Sequence, residues 1–295
     1  MQRVLFVVAA VAALLVIAAC SDCDCPDVPP AEPKASAIVK PDADALEISL
    51  LSESELEASL RSFPGGAPPS VTVEGSSIVY SGDMHPEGYD TLVRLAAQGG
   101  LTELVISSLG GEVYWGMKIG EIVYKNGWDV RVRGLCFSSC ANYIFPAGRN
   151  KVIESGGIVG WHGSARQSQF FAEQQGTSSR QQIIDSLFFA LQEGAGDLTQ
   201  EEINEAIVSN IALVETRIRL EAAYYENIGV NADISVYGFL PQHFATAAAA
   251  GGWTFTLADM AKFGLDGIVY EGSDAYPSDR ARALLSLVLI EVDDR

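Results

Sequence analysis

Only three histidines, His85, His162 and His243, serve 295 residues, and 19 basic side chains face 38 acidic ones. The formal net charge is −19. A nucleic-acid binder needs a face rich in lysine and arginine, so this balance excludes nucleic acid as a partner, and the chain's field repels anionic surfaces. Sulfur is scarce: five cysteines and four methionines. A metal site would have to draw on two cysteine pairs. Cys23 and Cys25 stand in a proline-rich run and Cys136 and Cys140 in a core turn, so neither a metal nor another cofactor is expected. What is plentiful is apolar: 48% of the residues are hydrophobic, enough to fill the core of one large domain or two small ones.

The N-terminal stretch reads as a processing segment. Arg3 supplies a short positive region, Val4 to Ile17 is uncharged and apolar, and Ile17-Ala18-Ala19-Cys20 closes it. The run is short for a membrane helix of about 20 residues. A cysteine after Ile-Ala-Ala resembles the bacterial lipobox. That implies a signal peptide over 1–19, palmitate-type lipidation at Cys20, and a membrane-anchored lipoprotein facing the periplasm from the cell envelope. An ordinary signal peptide, or an uncleaved anchor with Cys20 incidental, is the alternative. Ser21 and Asp22 leave the choice of inner or outer membrane open. Residues 20–70 read as a tether, with Pro26, Pro29, Pro30 and Pro33 opposing packing. A short amphipathic helix is expected within Leu46–Leu60, and a break at Phe63–Pro69.

Beyond the tether, strands and helices alternate. Ser76–Tyr80 reads as a strand and Pro86–Ala97 as a helix with proline in its first turn. The apolar run Leu104-Val105-Ile106 reads as a second strand, ending at Gly110-Gly111. A further helix follows, then a strand from Gly127 to Val132 and a turn through Ser138-Ser139 into a buried helix. Gly156–His162 is a strand that ends on a histidine. Polar groups at the carboxyl ends of strands are where α/β sheets usually place ligands. Taken alone, Ser138 or Ser139 would be an N-cap, Gly110-Gly111 a tight turn and His162 a satisfied core residue. Gln167–Asn231 is mostly helical, with a capping box at Thr199–Glu202. Gly264–Tyr270 reads as an edge strand and Arg280–Val292 as an apolar C-terminal helix.

Several blocks, in order, resemble the ClpP/crotonase superfamily, in particular the ClpP-like serine peptidases. Ser107-Ser108-Leu109-Gly110-Gly111-Glu112-Val113 stands where that family has Ser-Pro-Gly-Gly-x-Val. Ser138-Ser139-Cys140-Ala141 with Pro146-Ala147-Gly148 stands at its nucleophile turn, and Val159-Gly160-Trp161-His162 at its histidine strand. Phe255–Leu265 is similar to a segment near the family's C-terminus. The resemblance implies an α/β fold with a repeated ββα spiral core over 71–272. Residues 165–231 would be an enlarged helical arm for homo-oligomer assembly, or equally a lid, and 273–295 a C-terminal helix. It also implies a peptidase acting on short or unfolded peptides.

Counted back from Gly148 with the family's spacing, the nucleophile falls on Ser139. His162 would be its base, and Gly110, Gly111 and the Cys140 amide the oxyanion donors. A Cys136–Cys140 disulfide would staple the turn and remove Cys140 as a rival nucleophile. The family's aspartate falls on Gly252, which has no carboxylate; Asp233, the nearest upstream acid, is the candidate third catalytic residue, with Asn231 or a backbone carbonyl as the alternatives. The missing acid equally suits a catalytically inactive binding or assembly lipoprotein on the same fold. A Ser-Lys pair through Lys151 and a crotonase-type acyl-CoA enzyme are weaker alternatives. An ATPase partner has no ATP outside the cytoplasm and is not expected.

Overall fold

The computed structural model describes residues 39–194 and 198–293. The expected signal segment and Cys20, Cys23 and Cys25 lie outside the described residues. The described residues divide into two units, 39–51 with 168–194 and 198–216, and 52–167 with 217–293.

The larger unit is built on a parallel-dominated sheet. Its strands are short runs of β-branched and aromatic residues: β1 (Ser70–Glu74), β2 (Ser77–Ser81), β3 (Glu103–Ser108), β4 (Asp129–Phe137), β5 (Lys151–Ile153) and β6 (Ile158–Gly160). β1 pairs antiparallel with β2. From there β2, β3, β4, β5 and the later edge strand β8 (Ile268–Tyr270) run parallel. Parallel strands demand cover on both faces. Leu104, Ile106, Val130 and Val132 are accordingly fully buried. Helices α2 (Pro86–Gln98) and α3 (Val113–Asn126) cross over between β2, β3 and β4, burying Leu92, Trp115, Ile119 and Val123.

The long strand β4 serves two neighbours. Val130–Val132 pair with β5, and Leu135–Phe137 pair with β6. β6 continues into an antiparallel bridge between Trp161 and Trp253, which leads to a small sheet of β7 (Trp253–Thr254) and β9 (Val288–Leu289). The carboxyl ends of β3, β4 and β6 therefore converge, and with them Gly110-Gly111, Ser138 and His162. The α/β class expected from the sequence is the class observed.

Two expectations need correction. Residues 52–70 are not tether. Ser52 closes a reciprocal capping box with Glu55 at the head of α1 (Glu53–Ser62), whose Leu56 and Leu60 are buried. Arg61 then forks onto Asp90 and lies 4.8 Å over the Trp115 ring. The i, i+4 leucine spacing made this helix amphipathic, and a docking surface made it structural. The C-terminal helix is also not formed as expected. α9 stops at Leu284 (Asp279–Leu284), Ser286 takes φ +51°, and the chain extends as β9. Ile290 and Val292 point inward while Leu289 and Glu291 point outward. That period of two in a β-branched run outweighs the apolar composition that suggested a helix.

The smaller unit is helical. It holds most of α4 (Gln167–Gln175), α5 (Ser179–Gly194) and the first part of α6 (Gln200–Ile228). Ala43, Ile183, Ile184, Leu187, Ile203, Ile207 and Ile211 form its core. The Lys40 chain segment, also expected to be tether, contributes here: Lys40 Nζ donates to Asp185 and Leu51 N to Thr216 Oγ1. Beyond Thr216, α6 continues into the larger unit. Among the described residues no helix is long and apolar enough to cross a membrane. Two short helices of the larger unit, α7 (Pro241–Ala249) and α8 (Leu257–Ala261), flank β7.

Candidate active site

Strand β4 ends at Phe137, and Ser138 then adopts φ +57°, in the left-handed region that residues other than glycine rarely enter. Holding it there costs about 1–3 kcal/mol, a strain that the surrounding bonds must offset. Ser138 N donates to Gly160 O at 3.1 Å, and Ser138 O accepts from Asn142 N at 2.9 Å. The next turn, Cys140–Ile144, is π-helical, closed by Phe145 N onto Cys140 O. A strained strand-to-helix serine is the geometry that lifts a nucleophile clear of its own backbone. A disulfide joins Cys136 to Cys140 across this turn, with the Cα atoms 5.2 Å apart. Cys140 therefore has no thiol to act as a nucleophile.

The Ser138 hydroxyl lies 2.7 Å from His162 Nε2. The imidazole stacks on Phe137, centroids 4.8 Å apart and 21° between planes. Burial alone pulls its pKa below the ordinary histidine value, so the ring is neutral near pH 7 and able to accept a proton.

Ser139 does not occupy this position. Its hydroxyl donates to Gly111 O at 2.7 Å and it is itself buried. The structure thus moves the histidine's partner one residue upstream of the position expected from the sequence. Cys140 moves with it, since the amide that follows the His162-bonded serine is that of Ser139.

Gly110 and Gly111 face the same turn. Gly110 O accepts from Met84 N at 2.7 Å. In a trans peptide the N–H points opposite to the C=O, so the Gly111 amide is turned away from Met84. A Cβ on Gly110 would lie 2.6 Å from Ser138 Cβ, which measures how closely the loop backbone approaches the serine. Among the described residues, neither the Gly111 nor the Ser139 amide donates to a backbone carbonyl. Two such amides beside the serine are of the kind that stabilises an oxyanion. Ser108 Oγ, 3.0 Å from Gly110 N, shapes the loop from below.

Among the described residues no carboxylate is hydrogen-bonded to the imidazole, and its hydrogen-bond partner is Ser138. Asp233 lies instead 3.5 Å from Arg166 Nη1, and Asn231 caps the Asp233 amide. Position 252 cannot hold an acid. Gly252 takes φ +145°, and a Cβ there would stand 2.3 Å from Trp161 O and 3.3 Å from His162 Cβ. Lys151 is remote as well. It pairs with Val130 at the amino end of β4, whereas Ser138 follows the carboxyl end, and its ammonium donates to Gly148 O at 2.8 Å. The Ser-Lys alternative has no geometric basis.

Sequence reasoning assigns no role to Glu221, a fully buried carboxyl on α6 with Tyr143 OH at 3.0 Å and Arg166 N at 3.1 Å. Burial pushes its pKa up to about 7, against the lowering effect of hydrogen bonds from Ser164, Tyr143 and Arg166. The available signal was a glutamate on the same helical face as Tyr224 and Tyr225.

The disulfide carries a stability prediction. Closing so short a loop restricts the unfolded chain by about 2 kcal/mol. The double variant Cys136→Ala/Cys140→Ala should lower the thermal midpoint of the larger unit, and reductant should lower the wild-type midpoint but not the variant's. Equal midpoints under oxidising and reducing conditions would show that the bridge contributes nothing.

No family model matches the chain, and no curated protein matches it. Solved structures do. A mutant of ClpP1 from Listeria monocytogenes is 20% identical, over 38% of this chain and 79% of that one, with a TM-score of 0.28. ClpP1 from the same organism is 18% identical, over 37% and 76%, at 0.28. A mutant of the membrane-bound stomatin-specific protease 1510-N is 13% identical, over 38% and 67%, at 0.27.

Proposed function

We propose that this chain is a serine hydrolase of the peptidase type, with Ser138 as nucleophile and His162 as general base. The observation that carries the proposal is the 2.7 Å contact between Ser138 Oγ and the half-buried, neutral imidazole, with Ser138 held at positive φ. In the first step His162 Nε2 takes the hydroxyl proton as Ser138 Oγ bonds to the scissile carbonyl carbon. The Gly111 and Ser139 amides face the resulting oxyanion. The histidine then returns the proton to the leaving amine, and water repeats the sequence on the acyl-enzyme. The sequence motifs resembling ClpP-like peptidases favour short or unfolded peptides as substrates and a homo-oligomer as the working form. The lipobox-like Cys20 favours a lipid anchor and a periplasm-facing site, where no ATPase partner could be fuelled. The absence of a carboxylate on the imidazole among the described residues favours one other function, a catalytically inactive binding or assembly lipoprotein.

Fluorophosphonate labelling of the full-length chain separates the two. Because burial depresses the His162 pKa, labelling should persist at about pH 6, where an unperturbed imidazole is mostly protonated. It should be lost in His162→Ala. Folded wild type that takes no label anywhere between about pH 6 and 9 is a binding scaffold, not a hydrolase.

A further inference from the structure

We infer that one face of α6, centred on Glu221, is the positioning element of the Ser138–His162 pair, supplying from a distance the order that a third triad residue supplies by contact. The inference rests on the Ser-His assignment above.

Arg217, Glu221, Tyr224 and Tyr225 are spaced i, i+4, i+7 and i+8, so they share one face of the helix. Between them they reach three segments of the site. Arg217 pairs with Glu112, the residue after Gly111 and the N-cap of α3. Tyr224 OH donates to Tyr143 O, and Tyr225 OH donates to Asn142 O at 2.9 Å, both in the π-helical turn that follows the nucleophile. Glu221 joins two segments at once. Oε1 accepts from Tyr143 OH, and Oε2 accepts from the amide of Arg166, four residues past His162. The turn and the histidine loop are tied to each other as well, by Asn142 Nδ2 donating to Gly163 O at 2.8 Å. The oxyanion loop, the serine turn and the histidine loop are thus all registered against a single rigid helix.

The groups facing Glu221 are mostly donors. Tyr143 comes from the π turn, Ser164 and Arg166 from the loop after β6, and Tyr225 from its own helix. Behind them Ser235 donates to Ser164, and Asp233 lies against Arg166. A donor-lined site is matched to the ionised carboxylate. Burial nonetheless holds the pKa near 7, so both states are populated at neutral pH. As pH rises through 7 the carboxylate forms, its accepted bonds strengthen, and the two loops are drawn into register.

The test is carried out on the full-length chain, with fluorophosphonate labelling rate and ¹³C-histidine NMR recorded against pH for wild type, Glu221→Gln and Tyr143→Phe. Three histidines make the His162 signal assignable. In wild type, the labelling rate and the His162 shift should show an inflection near pH 7, besides the imidazole's own titration at lower pH. Glu221→Gln should remove that inflection and slow labelling on the order of tenfold to a hundredfold. Tyr143→Phe removes one donor to the carboxylate and the tie between the serine turn and Glu221, so it should move the inflection to higher pH and slow labelling, though by less than Glu221→Gln does. Wild type that is unlabelled while His162 still reports Glu221 would overturn the hydrolase assignment and keep the positioning inference. Labelled wild type, with a His162 profile and rate unchanged in folded Glu221→Gln or an inflection unmoved in Tyr143→Phe, overturns the inference alone.

Discussion

Ser138→Ala should abolish fluorophosphonate labelling and peptide hydrolysis, lowering the rate by about a thousandfold or more, whereas Ser139→Ala should keep both within about tenfold of wild type. The asymmetry follows from where the two hydroxyls go. Ser138 Oγ is bonded to the imidazole that would take its proton, and its backbone is forced into the left-handed region to point it there. Ser139 Oγ is buried and donates to Gly111 O, so it lacks a base and an approach for substrate. Removing it leaves Gly111 O without one donor, a net cost of about 1 kcal/mol for an ordinary hydrogen bond. Mass spectrometry of the labelled peptide decides the matter, since both serines lie in one fragment and only one can carry the adduct. Label on Ser139, or survival of labelling in Ser138→Ala, would falsify the assignment.

The one-residue displacement shows what a sequence can and cannot reveal at such a site. The strand ends were legible: apolar runs bounded by Gly110-Gly111, Ser138-Ser139 and His162 mark where β3, β4 and β6 stop, and those ends do meet. The choice between adjacent serines was not. Counting back from Gly148 assumes ordinary helical spacing, and the Cys140–Ile144 turn is π-helical, holding one residue more. A positive φ at a serine leaves no trace in residue identity. The strand at Val288–Leu289 was hidden for the opposite reason. Its leucines and valines suit a helix by composition, and only pairing with β7 selects the extended form. Glu221 was hidden because its partners, Tyr143 and Arg166, are 78 and 55 residues away in sequence.

Among the described residues no acid is hydrogen-bonded to the histidine, and this has a local cause. The tight Trp161–Trp253 bridge, with two backbone bonds of 2.8 Å, brings the Gly252 Cα against the chain beside His162 and leaves no room for any side chain. A dyad held by packing on Phe137 and by the α6 face is what this backbone permits. Such an imidazole is oriented without the neighbouring negative charge that would raise its pKa. That agrees with a base whose pKa lies below the usual value and not above it.

Gly110→Ala should be severely damaging, although it replaces only a single hydrogen by a methyl group. The new Cβ would stand 2.6 Å from Ser138 Cβ, 2.9 Å from Phe137 O and 2.9 Å from Ser139 N, and two of those three atoms are backbone. None can swing away like the end of a flexible side chain. The φ of +106° adds strain for any residue with a Cβ. Either the oxyanion loop moves off the serine turn, or the turn shifts and breaks the 2.7 Å contact with His162. A displacement on the order of 1 Å costs about a hundredfold in rate, so labelling should fall by at least that much, and overpacking should remove roughly 1–3 kcal/mol of stability. Gly127→Ala is the matched control. It also has positive φ, +61°, but nothing lies within 4 Å of its Cβ. It should lower the thermal midpoint slightly and leave the labelling rate unchanged. If Gly110→Ala labels at the wild-type rate, the Gly110-Gly111 loop does not abut the reacting serine, and the oxyanion role of its amides fails with it.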